Sequence, residues 1–404
     1  MTATTDRWGR AEAAVGVTLF LCLFAAQAGV IALTPVLAKV AADLDVSTAA
    51  AGQLRTASGL AAGLAAIALG TFARRVPLRR VIAAGALGLA AASALSAAAP
   101  TFAVLLVAQL LLGLSVAGLL VGGTVAAAEW VPKEQRTRAL SWALVGPPAA
   151  WIVGMPLIGA IGEFGWRWTW LALPLAASVV AGIAVAVRPA SPPRADTESL
   201  TTALRDRPTA LWALAELLAT SAWVGTLVFS GALFTETYGT TTFVTGILLA
   251  AGAAAYVAGN VAFRRMVHCR PKVLLVRLSL GLAVGVALLG AVRPAVWVSA
   301  LLFAAAGFVA GGRMLIGSAV GLEAAPERRR AVMGSRVVAQ QLGYFVGASV
   351  AGGALAAGGY PLLGFALAAL FAASAVPFLV GAPGRRTTLR VVLLEPPCGS
   401  TGSE

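Results

Sequence analysis

Histidine occurs once in 404 residues, cysteine three times, and charged residues make up only 11% of the chain. Each scarcity closes a class of function. A lone His268 among Arg264, Arg265 and Arg270 reads as a solvated connection residue, and no Cys/His cluster has zinc spacing. Cys22 lies in an apolar stretch, Cys269 in a basic connection and Cys398 near the end, so no external disulfide is expected. No Gly-x-x-x-x-Gly-Lys-Ser/Thr loop is present to cradle a phosphate, so ATP is not expected to act directly. No enzyme signature, metal or cofactor is called for.

What the chain has in abundance is apolar sequence: 59% of its residues are hydrophobic and its mean hydropathy is +0.88. A hydrocarbon core about 30 Å thick needs roughly 20 apolar residues per helical crossing. Twelve such spans are read at 14–38, 49–72, 81–98, 102–127, 141–162, 168–187, 209–234, 241–263, 273–292, 295–320, 334–358 and 360–382. No soluble core could absorb them. The expected fold is therefore an all-α membrane protein with twelve transmembrane helices in two pseudo-symmetric six-helix halves.

The basic residues divide by alternate connections. With the N-terminus inside, 23 of the 30 Lys and Arg lie on the inner side, only Lys39, Arg167 and Arg293 lie outside, and Arg55, Arg277, Arg313 and Arg336 lie within spans. Basic connections are retained in the cytoplasm, so both termini are expected there, in a multi-pass protein of the cytoplasmic (inner) cell membrane. The net charge of +14 then reports orientation in the lipid bilayer, with no nucleic acid implied. The first span is too long for a secretory signal and lacks its small-residue cleavage site, so it is expected to be retained. Trp8, Trp130 and Trp212 near inner ends, and Trp166, Trp168, Trp170 and Trp297 near outer ends, suit the interfacial preference of indole.

The chain also repeats itself. Val131–Arg136 (VPKEQR) between spans 4 and 5 returns as Ala325–Arg330 (APERRR) between spans 10 and 11, and the 2/3 connection has a weaker echo in the 8/9 connection. The longest polar connection lies midway. The expected organisation is an N-terminal half at 1–187, a cytoplasmic linker at 188–208, a C-terminal half at 209–383 and a disordered cytoplasmic tail at 384–404. Duplicated transporters of this kind place their substrate between the halves near the midplane.

Three motifs carry a family resemblance over essentially the whole chain except its tail. They are Gly154-Met-Pro156-Leu-Ile-Gly159 running into Gly165-Trp-Arg167, the Pro-x-x-x-Arg 4/5 connection, and Asp43-Leu-Asp-Val-Ser47 leading into Gly52-Gln53. With these the sequence resembles the major facilitator superfamily, and within it the twelve-span bacterial drug and sugar efflux permeases of the drug:proton antiporter type. The resemblance implies that spans 1, 4, 7 and 10 line a central cavity, and the protein is expected to be a monomer. It also implies a gate motif in the 2/3 connection, here Gly70, Arg74, Arg75, Arg79 and Arg80. The chain departs from the family pattern there. Arg74 stands where the family has a gate Asp, Pro77 where it has Gly, Gln109 where it has a span 4 Arg, and span 1 has no carboxylate.

An ionisable group in hydrocarbon costs several kcal/mol and normally faces a partner or a wet cavity. Glu216 is the one embedded carboxylate away from a span end, and with Thr220, Trp223 and Ser230 it shares a helical face. It is either the proton-coupling group or part of an inner ion pair. Arg313, beside Gly311-Gly312, is expected to pair with Glu216 or a substrate anion, or else to snorkel. Arg55 is an outer-half substrate or gate contact, or snorkels outward. Arg277 and Arg336 read as topology anchors, although Arg336, Gln340 and Tyr344 also form a polar stripe at i, i+4, i+8. Gln27, Thr34 and Gln109 complete the cavity candidates, each with interhelical hydrogen bonding as the alternative. Pro147, Pro148, Gly154 and Pro156 are either hinges or ordinary membrane-helix kinks.

The function expected is export of a small, amphipathic organic molecule in exchange for protons. An uncoupled facilitator or importer, or a transport-inactive receptor or scaffold of the same fold, are the alternatives.

Overall fold

In a computed structural model of the protein, residues 10–72, 76–131, 135–188, 205–267, 270–324 and 329–380 are described. Arg74, Arg75, His268, most of the linker, the whole 384–404 tail, and residues 132–134 and 325–328 of the two repeated connection motifs lie outside them.

Ten segments among the described residues are long and apolar enough to cross a bilayer. The last, Ser335–Leu379, is interrupted at Gly358 and Gly359, and the 25-residue helix Thr48–Phe72 stands beside the ten, which accommodates the twelve expected crossings. They are α1 (Ala13–Asp43), α2 (Thr48–Phe72), α3 (Leu78–Ala98), α4 (Phe102–Glu129), α5 (Arg138–Phe164) and α6 (Trp166–Ala186). Then follow α7 (Arg207–Tyr238), α8 (Thr242–Ala262), α9 (Pro271–Ala291), α10 (Val296–Ala324), α11 (329–357) and α12 (360–380).

Local chemistry sets several ends. The Asp206 carboxylate accepts from Thr209 N at 3.2 Å to cap α7, and Thr101 and Thr241 hydroxyls accept from Val104 N and Val244 N to cap α4 and α8. Gly239 closes α7 in the left-handed region, φ 64°, where a side chain would be strained. Prolines break the interiors. The missing N–H groups of Pro147 and Pro148 precede a π-helical turn at Ala150–Gly154, and α1 changes to a 3₁₀ turn around Pro35.

Packing repeats between the halves. The α2–α4, α1–α5 and α3–α4 pairs of the first half return as α8–α10, α7–α11 and α9–α10 in the second, and α2 meets α11 as α8 meets α5. That exchange of α2–α11 for α8–α5 is what a pseudo-two-fold axis between the halves requires. Small residues allow the close approach: a Cβ at Gly59 would collide with Phe345 N, at Gly159 with Thr242 O, and at Gly246 with Met155 O. Outside the bundle, α3, α6, α9 and α10 present exposed aliphatic side chains such as Leu87, Ile183, Val284 and Leu301, as lipid contact demands. Three tryptophans depart from the interfacial expectation. Trp166 and Trp170 are buried, and Trp212 donates from Nε1 to Gly317 O at 2.8 Å inside the second half.

Candidate functional site

Glu216 is 2% exposed on α7, two and a half turns in from the arginine-rich end of the bundle. Its Oε1 accepts from Arg313 Nη1 on α10 at 3.0 Å, and its Oε2 lies 3.6 Å from Arg336 Nη2 on α11. Arg313 is itself held by Ser279 Oγ on α9 at 3.0 Å and by Ala215 O at 3.3 Å. Arg336 also donates to the Ser318 hydroxyl and to Met314 O on α10. Gly317 leaves the room, since a Cβ there would press on the carboxylate. One anion thus shares two cations contributed by two other helices. The topology-anchor reading of Arg336 and the snorkelling reading of Arg313 give way to this cluster, because a buried guanidinium recovers its desolvation cost by pairing.

The rest of the α7 face turns into the second half as well. Thr220 packs against Gly343 of α11, and the Trp223 ring stacks near Tyr256 of α8 and Phe303 of α10, at centroid distances of 6.1 and 6.2 Å. These residues form a bundle interior around Glu216 in place of an open wall.

A second group lies at the interface of the halves. Gln27 of α1 is buried near this seam, and Tyr344 of α11 packs on Gly59 of α2. A small gap beside them is lined by Val30, Ser58, Gly113, Gln341 and Tyr344. Of the two neighbouring glutamines, Gln341 is buried here and Gln340 is exposed; one residue turns a helix by about 100°, which is the error in the expected stripe. Gln109 also departs from the cavity reading. Its amide donates to Ser96 Oγ of α3 at 3.3 Å, inside the first half.

Arg55 of α2 is 1% exposed, about 10 Å along its helix from the arginine-poor end. That depth and burial replace the snorkelling reading. Its Nη2 donates to Gly29 O at 3.5 Å, and its Nη1 has no partner.

The arginine-poor end is closed across the halves. Phe243 N donates to Glu163 Oε1 at 2.8 Å, Thr242 donates to Gly159 O at 2.9 Å, and Thr34 O lies against Gly231. Glu236 accepts from the Thr48 hydroxyl of the opposite half and from Tyr360 at 2.7 Å. Two of the sequence motifs meet at this end: Asp43 accepts from Arg167 Nη1 at 2.6 Å and Trp166 Nε1 at 3.0 Å, while Arg167 donates to Ala99 O at 3.1 Å. On the opposite end, Gly70 is helical at the end of α2, and Arg79 reaches Ala186 O of α6.

A polytopic helical bundle with two pseudo-equivalent halves, closed at one end and carrying buried ionic groups between helices, is the architecture of a secondary transporter. The family model described as "Major Facilitator Superfamily" matches residues 19–290, and the chain belongs to that superfamily. It is accordingly a transporter rather than an enzyme, and an integral multi-pass membrane protein. Its fold is similar to two solved structures of a bacterial homolog to the human lysosomal transporter Spinster. The inward-facing, unoccupied one has a TM-score of 0.71 at 15% identity, covering 96% of this chain and 98% of that one. The inward-facing, occupied one has a TM-score of 0.68 at 14% identity, covering 95% and 98%. A D-xylose-proton symporter has a TM-score of 0.72 at 16% identity, covering 93% and 98%. No curated protein matches in sequence.

Proposed function

We propose that the protein is a monomeric antiporter of the cytoplasmic membrane, with both termini in the cytoplasm, that exports a small amphipathic organic solute in exchange for protons. The halves 1–187 and 209–383 rock against each other, bending at Pro147, Pro148, Gly154 and Pro156, about a binding site between them. The observation that carries the reading is Glu216, a buried membrane carboxylate gripped from two helices, one of which also forms the interface between the halves. Arg336 sits on α11 two turns from Tyr344, which packs on α2, and a shift of α11 against α7 as the halves rock would lengthen the looser, 3.6 Å contact to Glu216 first. Loosening that contact frees one carboxylate oxygen for a proton.

A second reading, an uncoupled facilitator or importer, is favoured by the same cluster, because Glu216 already serves two cations. Proton release from purified protein on adding lipophilic solutes, wild type beside Glu216→Gln and Arg336→Gln, separates them. Solute-dependent release in the wild type that is absent in Glu216→Gln supports antiport. Solute binding without release in any of the three proteins supports the facilitator.

A further inference from the structure

The embedded arginines are not equivalent. Arg313 and Arg336 share Glu216, whereas Arg55 has, among the described residues, no carboxylate at all. Its single described hydrogen bond runs at 3.5 Å to a backbone carbonyl that belongs to α1, and its Nη1 is buried with nothing to donate to. A fully buried, unpaired cation costs several kcal/mol of desolvation, and among the described residues only the long bond to Gly29 O offsets it. Packing does not require it either, since leucine or methionine fills such space without charge. An unoffset charge of this kind is retained for something that arrives later.

The neighbourhood says what arrives. Ser58 and Gly59 lie one turn along α2 from Arg55, and Tyr344 of the second half packs on Gly59. Tyr344, Ser58 and Gln341 line the gap between the halves together with the aliphatic Val30. A lining that mixes hydroxyl and amide groups with apolar side chains, beside a buried cation, suits a molecule with a charged head and a hydrocarbon body. The guanidinium fork offers two parallel N–H groups, which match a carboxylate better than a spherical ion. We propose that Arg55 is the anion-recognition residue of the transport site, and that the solute carried is an amphipathic monocarboxylate whose head docks on Arg55 between the halves. The proposal rests on the transporter reading above and sharpens its substrate class.

The test uses full-length protein in detergent and a series of straight-chain and aryl-alkyl carboxylates, each beside its neutral amide and its amine. The readout is ligand-induced thermal protection, with affinity taken from its concentration dependence. Wild type should be protected by members of the carboxylate series and not by their amides or amines. Arg55→Gln should weaken carboxylate binding about 10- to 100-fold, the worth of a charged hydrogen-bond pair, and Arg55→Lys should lie between them. Without ligand, Arg55→Gln should melt no lower than wild type, since the variant removes an unpaired charge. The proposal is overturned if carboxylates protect wild type no better than amides, if Arg55→Gln binds them equally, if chloride alone reproduces the protection, or if ligand-free Arg55→Gln melts lower.

Flux in liposomes separates this from the parent reading. Transport of amides and amines that is unchanged in Arg55→Gln leaves a transporter but removes the anion site. Arg55-dependent carboxylate binding with no flux leaves the site but removes transport.

Discussion

Removing the charge of Glu216 tests whether the buried cluster is an ionic unit. Glu216→Gln keeps the volume and leaves Arg313 and Arg336 sharing no anion, although each keeps hydrogen bonds to Ser279, Ala215, Ser318 or Met314. Breaking a buried pair from one side costs about 3–5 kcal/mol, because the partner's desolvation is no longer offset. With an unfolding entropy of about 2.1 cal/mol/K per residue, that loss lowers the melting temperature of this chain by roughly 4–6 °C. Arg313→Leu should cost a similar amount, since its 3.0 Å bond is the tighter of the two. The decisive measurement is the double variant Glu216→Gln/Arg313→Leu, followed by tryptophan fluorescence on heating in detergent. Removing both charges should cost less than the sum of the single losses, with a coupling of about 1–3 kcal/mol. Simple additivity of the two losses would refute the ionic unit and leave Glu216 as one more packed side chain.

Two further expectations concern the closed end and the orientation. In a cysteine-free background, Thr48→Cys with Glu236→Cys joins the halves where Thr48 now bonds Glu236; oxidation should arrest solute flux and reduction restore it, and undiminished flux in the cross-linked protein would show that this end need not open. Phe164 is 87% exposed at the arginine-poor end, so a membrane-impermeant maleimide should label Phe164→Cys in intact cells and leave Arg205→Cys unlabelled; the reverse pattern would invert the topology.

The positions of the crossings were legible because they depend on the length of the apolar runs, while their direction stays an expectation from where arginine stops. Even the break between α11 and α12 shows in the sequence as Gly358-Gly359, the boundary placed between 358 and 360. Facing was much less legible. A soluble helix announces its buried side by alternating polar and apolar residues, but a membrane helix is apolar all round, so its few polar residues must be placed by phase alone. Gln340 and Gln341 are the cost of that: both are polar, they differ by a quarter-turn, and only the contacts of α11 with α2 decide that Gln341 is the buried one.

Pairing is less local still. Glu216 and Arg313 could be matched because each was conspicuous in its span, whereas Arg336 stood close enough to a connection to pass as an anchor; only the packing of α11 on α7 turns it inward. Gln109 needed Ser96, which faces it across the turn between α3 and α4. For Arg55 the informative fact is the missing counter-ion, and a sequence cannot display it. Any carboxylate could be the partner until the fold assigns, among the described residues, Glu216 to α10 and α11, Asp43 to Arg167, Glu163 to Lys39 and the α8 backbone, and Glu236 to Thr48 and Tyr360. With those assignments made, the charge on Arg55 has no carboxylate among the described residues, and if the halves rock as proposed, a buried charge left at their seam is where the proposed anion would gain the most.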